Sequence, residues 1–167
     1  MSCGPIAQGV GWQLDFTKEK TPESGALKWR PKVKAQLTFN GKSVTDTFLV
    51  DSGADHGRIT RSHAKTLGVD TEGLPASDIH KSDTAGGPIN VSLHVVKIRI
   101  LSPPLPREFS AKVELSLSDS ATGTEIPLLG RAGLFENYDI CFISSLEGKP
   151  PKICFCYPFL SGAPPEV

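Results

Sequence analysis

The sequence predicts an all-β fold, a closed barrel carrying one or two short helices. Short apolar runs with period-2 alternation recur at near-regular spacing, while few stretches carry the 3.6-residue period of a helix. Turn residues separate the runs, as in a barrel whose strands are joined by tight connections.

The elements follow in chain order. Within residues 1–27 only Trp12 to Phe16 alternates like a strand; the rest is mixed and turn-rich. Val33, Ala35, Leu37 and Phe39 then alternate with Lys32, Lys34, Gln36 and Thr38, which marks a half-buried strand. Asn40-Gly41 follows, the favoured two-residue hairpin turn because both positions tolerate positive φ. The return strand, Ser43 to Val50, ends in Phe48-Leu49-Val50. Ile59 begins another extended piece, and Ser62 caps a short helix that runs through Leu67 and stops at Gly68.

Residues 70–78 read as loop. Ile79 to Ile89 reads as a hairpin with Thr84-Ala85-Gly86-Gly87 at its tip. Val91 to Ile100 is apolar on both alternating faces, which predicts a strand buried on much of each. Ser102 to Pro106 must be a connection, because proline cannot donate to a ladder. Phe109 to Leu117 alternates again and breaks at Ser118-Asp119-Ser120. Ile126 to Gly130 is a short apolar strand, Arg131 to Asn137 makes two helical turns, and Tyr138 to Ile143 with Lys152 to Tyr157 close the domain. The expected organisation is an N-terminal arm over 1–27, one domain over 28–160 and a tail over 161–167.

Composition narrows the function classes without choosing one. The chain has 167 residues, 38% apolar and 22% charged, with zero formal net charge. That is enough for a core without disulfide or metal staples, and nothing in it points to nucleic acid or an anionic membrane. No apolar run approaches the ~20 residues of a membrane span, and residues 1–15 lack the pattern of a secretory signal. Cys3, Cys141, Cys154 and Cys156 match neither a disulfide framework nor a zinc site, so they read as thiols in a reducing compartment. The expected location is the cytoplasm.

Asp51-Ser52-Gly53 carries the chemistry. Peptide hydrolysis without a metal or covalent nucleophile needs an activated water and a polarised carbonyl, and two neighbouring carboxylates supply both. Like charges that close cannot both ionise, so the pair holds one proton. One member takes a proton from water and the other donates to the carbonyl oxygen. An apolar strand ending in Asp-Ser-Gly fixes a carboxylate in place, with a hydroxyl beside it to bond the loop. Alone the motif is weak: it arises by chance about once in ten chains of this length. Its ordinary reading is an exposed turn.

Context raises it. Phe48-Leu49-Val50-Asp51-Ser52-Gly53-Ala54-Asp55 resembles the active-site segment of the retropepsins, the retroviral-type aspartic proteases. Ile126-Pro127-Leu128-Leu129-Gly130-Arg131 is similar to the family's second signature, and the glycine-rich piece at 84–87 lies between them, where the family has its flap. The resemblance covers roughly residues 30 to 143. It implies a retropepsin-type acid protease barrel acting as a homodimer without cofactor or metal, on extended peptide or protein substrates. It makes Asp51 the catalytic carboxylate, with Ser52 bracing the two loops across the dimer axis. Gly53, Ala54 and Asp55 would contact substrate backbone, as would Ala85, Gly86 and Gly87 in the flap tip. Arg131 would pair with Asp55. The chain holds a single Asp-Ser/Thr-Gly, since Asp83-Thr84-Ala85 and Asp119-Ser120-Ala121 lack the glycine, so a two-carboxylate site needs a second copy.

Three departures stand out. Ala132 replaces the Asn or Asp of many relatives, which removes one bond at the helix start. Ser52 in place of Thr loosens the brace. His56 reads more simply as an exposed loop histidine than as a group tuning the local field. Two other functions fit the residues: a dimeric peptide-binding module with negligible turnover, and a β-barrel in which Asp51 is only a turn residue.

Overall fold

The computed structural model describes residues 11–20, 24–84, 87–101, 108–117, 126–144 and 149–156. Along the first third run β1 (Gly11–Asp15), β2 (Thr17–Lys20), β3 (Leu27–Arg30), β4 (Lys32–Phe39), β5 (Lys42–Val50) and β6 (Gly57–Ile59). Next come α1 (Arg61–Thr66), β7 (His80–Ser82), β8 (Ile89–Ile100) and β9 (Glu108–Ser116). Last are β10 (Leu128–Leu129), α2 (Arg131–Asn137), β11 (Asp139–Ile143) and β12 (Lys152–Cys156).

A closed barrel forms the body. Its strands follow the order β4-β5-β10-β6-β9-β8, and β8 pairs back onto β4, with Leu37 opposite Ile98. β7 extends the sheet beyond β8. The expected barrel is therefore the observed one. Its strongest sequence signal holds in detail: Phe39 faces Lys42 across the turn, with Asn40 at φ 47° and Gly41 at φ 77°. Both angles are those a tight hairpin needs to match the strand twist.

The inward residues alternate as the period requires. Val33, Ala35 and Leu37 of β4 meet Phe48 and Val50 of β5 and Val96, Ile98 and Ile100 of β8, all buried. Each large side chain removed from water in this way stabilises the fold by about 2 kcal/mol. Ala64 and Leu67, the latter just past α1, join the same core.

Three expectations need correction. β8 is buried mainly on one face: Val91 is buried on the other, but Leu93 and Val95 there are 40% and 58% exposed, alternating with buried Ser92, Val96 and Ile98. Among the described residues no helix covers the outside of the barrel there, and Leu93 and Val95 are exposed on that face. The cap of α1 is Thr60 rather than Ser62. The Thr60 hydroxyl accepts the His63 N–H at 3.2 Å, whereas Ser62 lies inside the helix, its carbonyl accepting the Thr66 hydroxyl. Finally, α2 is not two continuous turns. Ala132 (ψ 124°) and Gly133 (φ 81°) leave the helical region before the chain resumes it.

A second sheet, β1-β12-β11, packs on the barrel. Trp12 of β1 stacks on Phe155 of β12 with centroids 4.9 Å apart, and meets Tyr138 edge-on at 5.3 Å. Tyr138 in turn touches Phe109 of β9 at 6.0 Å, so aromatic contacts join the small sheet to the barrel wall. Separately, β2 and β3 pair antiparallel, with Thr17 opposite Arg30, although within residues 1–27 only Trp12 to Phe16 alternates like a strand. Cys154 and Cys156 are buried in β12, and Cys141 lies on β11 opposite Cys154. Among the described residues no helix is long and apolar enough to cross a membrane. The proline connection at 102–106 and the 161–167 tail lie outside the described residues.

Candidate active site

The Asp51 loop is held by its neighbours' main chain. β10 runs parallel to β5, with Leu129 beside Val50, and antiparallel to β6, with Leu128 opposite Arg58. It therefore lies between the two strands that the loop connects. The Asp51 N–H donates to the Leu129 carbonyl at 3.0 Å and the Leu49 N–H to Pro127 at 3.0 Å. In return, Arg131 and Ala132 donate their N–H groups to the carbonyls of Ala54 and Asp55, each at 2.8 Å. Loop and strand end are thus bonded in both directions, which leaves the carboxylate's position little freedom.

Gly130 makes this approach possible. A Cβ built there would lie 2.3 Å from the His56 carbonyl oxygen and 2.8 Å from that of Ala54, both backbone atoms with no rotamer to give way. His56 is half-buried rather than exposed, and its carbonyl forms part of this contact. No spacing or composition signal marks residues 56 and 130 as neighbours. Only the pairing of β10 with β6 brings them together.

Asp51 is half-buried, with Ser52 and Gly53 exposed beside it. The Gly53 N–H donates to Asp51 Oδ1 at 2.8 Å and so orients the carboxylate. A Cβ at Gly53 would lie 3.2 Å from that same oxygen, so any side chain there presses on the carboxylate.

Asp55 and Arg131 form an ion pair within the chain, Arg131 Nη2 donating to Asp55 Oδ1. Both are largely exposed, so solvent screens the pair and it contributes little to stability. Its effect on titration is clearer. The hydrogen bond from Arg131, then its charge, holds the Asp55 carboxyl below the ordinary 3.8. A folded value below the unfolded one means the contribution is present above pH 3.8 and is lost as pH falls through the lowered value. In an NMR titration, Asp55 should therefore have its midpoint below 3.8 in the wild type and return toward it in Arg131→Ala. An unchanged midpoint would show that the pair does not persist in solution.

The other expected site residues fall between β7 and β8 in the sequence. Gly87 sits at φ 104°, with its N–H donating to the Thr84 carbonyl at 3.0 Å and its own carbonyl accepting the Thr84 hydroxyl at 2.6 Å. Ala85 and Gly86 fall outside the described residues. At the start of α2, Ala132 offers no side-chain cap, but the Gly133 N–H donates to Glu136 Oε2 at 3.1 Å.

Sequence reading also missed a polar cluster. Arg58 of β6 donates from Nε and Nη2 to Glu114 Oε2 at 2.9 and 2.6 Å, and from Nη2 to Ser82 Oγ at 2.6 Å. Ser82 Oγ donates to the same Glu114 oxygen at 2.9 Å. These residues lie 24 to 56 positions apart, and no motif links them.

Comparison with solved structures places this architecture. A retropepsin-like aspartic protease from Rickettsia conorii superposes with a TM-score of 0.51, covering 86% of this chain and 98% of that one at 20% identity. The fold is retropepsin-like. The EIAV protease in complex with the inhibitor HBY-793 also matches, with a TM-score of 0.36 and 18% identity over 66% of this chain and 88% of that one. Residues 35–102 match a family model described as aspartyl protease, a segment that contains the Asp51 loop and ends before Gly130-Arg131. A search of characterised proteins returns no match. The family match spans residues 48–55, one of the segments that carry the resemblance, and the fold is the one the resemblance implies.

Proposed function

We propose that the chain is an aspartic endopeptidase that works as a homodimer, with one Asp51 from each copy. The observation that carries this reading is the Asp51 loop. It sets a half-buried carboxylate at the end of a core strand, bonded to Gly53, with its backbone clamped to β10. A lone turn aspartate has no need of that clamp. One chain offers a single such motif, and a twofold axis supplies the second.

In this mechanism the two Asp51 carboxylates share one proton. The ionised member draws a proton from the water that attacks the scissile carbonyl, and the protonated member donates to the carbonyl oxygen. Collapse of the tetrahedral intermediate passes a proton to the leaving amine. Ser52 braces the two loops across the axis. Gly53, Ala54 and Asp55 hold an extended polypeptide by its backbone from one side, and Ala85, Gly86 and Gly87 do so from the other. Arg131 holds Asp55 in place. No cofactor enters, neither nucleic acid nor membrane is a partner, and the protein acts in the cytoplasm.

Incubation with a diverse peptide library from acid to neutral pH, read by mass spectrometry, tests this reading. Cleavage within extended segments, with a bell-shaped pH–rate profile from the shared proton, is the expected result. A folded dimer that binds peptides without cutting them would instead identify a binding module.

A further inference from the structure

The polar cluster on β6, β7 and β9 has a geometric consequence. In the sheet order β6-β9-β8-β7, Ser82 lies three strand spacings from Arg58, roughly 14 Å across the sheet. Along the strands, Glu114 is level with Arg58 and Leu93, whereas Ser82 is level with Ile89, four residues or about 13 Å farther on. In a flat sheet no arginine side chain spans that diagonal. Arg58 nevertheless bonds Ser82 at 2.6 Å, so the β7–β8 hairpin curls back over the outer face of β6, the strand that leaves the Asp51 loop.

We infer that Arg58, oriented by Glu114, is a positioning residue that sets the β7–β8 hairpin against the Asp51 side of the barrel. The cluster is built to hold. The Arg58 and Glu114 side chains are 14% and 15% exposed, and one carboxylate oxygen accepts bonds from both guanidinium nitrogens and from the serine hydroxyl. A charged hydrogen bond in such a place is stronger than a neutral one at the surface. Ser82 is the last residue of β7, two positions before Thr84, whose bonds shape the turn with Gly87. Fixing Ser82 therefore fixes where that turn enters. The catalytic consequence rests on the endopeptidase reading above; the positioning itself does not.

Ser82→Ala in the full chain tests it, with Ser82→Thr keeping the hydroxyl as the conservative partner. Loss of the hydroxyl's two charge-assisted bonds, from Arg58 and to Glu114, should speed amide exchange in the β7–β8 hairpin by about tenfold or more. Exchange in the β4–β5 hairpin should not change. On a cleaved peptide, KM should rise by about tenfold while kcat stays within about twofold, because substrate must then dock the hairpin itself. Ser82→Thr should restore both. Unchanged exchange in the β7–β8 hairpin, or equal acceleration in both hairpins, would overturn the inference. Expected exchange with no cleavage by the wild type would uphold the positioning and remove the endopeptidase reading.

Discussion

Asp51→Asn is expected to slow peptide cleavage by about a thousandfold or more, as befits loss of a general acid–base group, while fold and dimer persist. The substitution is nearly isosteric, and the Asn side-chain oxygen can still accept the Gly53 N–H that Asp51 Oδ1 accepts at 2.8 Å. The backbone bond from residue 51 to Leu129 does not involve the side chain at all. What disappears is the charge and the exchangeable proton. Thermal unfolding and sedimentation should match the wild type, and only turnover should fall. Loss of the dimer in this variant would mean that Asp51 serves assembly rather than chemistry.

Gly130→Ala should have the largest effect on stability. Its backbone angle, φ −89°, is one that alanine adopts readily, so the cost is one of space. The new methyl would meet the carbonyls of His56 and Ala54 at 2.3 and 2.8 Å. Strand β10 or the Asp51 loop must then move, at about 3 kcal/mol for a forced overpacking. In a chain of this size the melting temperature should fall on the order of 10 °C. Cleavage should decline as well, because the displaced loop is the one that orients Asp51. A melting temperature within about 1 °C of the wild type would show that loop and strand are not held as tightly as their bonds imply.

Where local chemistry and tertiary demand coincide, the sequence was legible. Asn40-Gly41 and the alternation on either side specify the β4–β5 hairpin without help from the rest of the chain, and the Asp51 loop follows it directly. β8 shows the limit. Leu93 and Val95 suggested a strand covered on both sides, but apolar character does not reveal whether anything packs against it. Thr60 outcompeted Ser62 as the cap because the end of β6 sets where the helix can begin. The Gly130–His56 contact and the Arg58–Glu114–Ser82 cluster join residues remote in sequence. They depend on which strands pair and how the hairpin curls, and no local pattern encodes either.

The central claim is that two copies of Asp51 act together, and subunit mixing tests it most directly. Wild type and Asp51→Asn would be exchanged to equilibrium in equal amounts, at concentrations where both are dimeric, and cleavage compared with the same total amount of wild type. If both carboxylates are needed, only dimers of two wild-type chains cut, and activity should fall to about a quarter. Activity near one half would mean that each chain works alone, and would contradict the shared site.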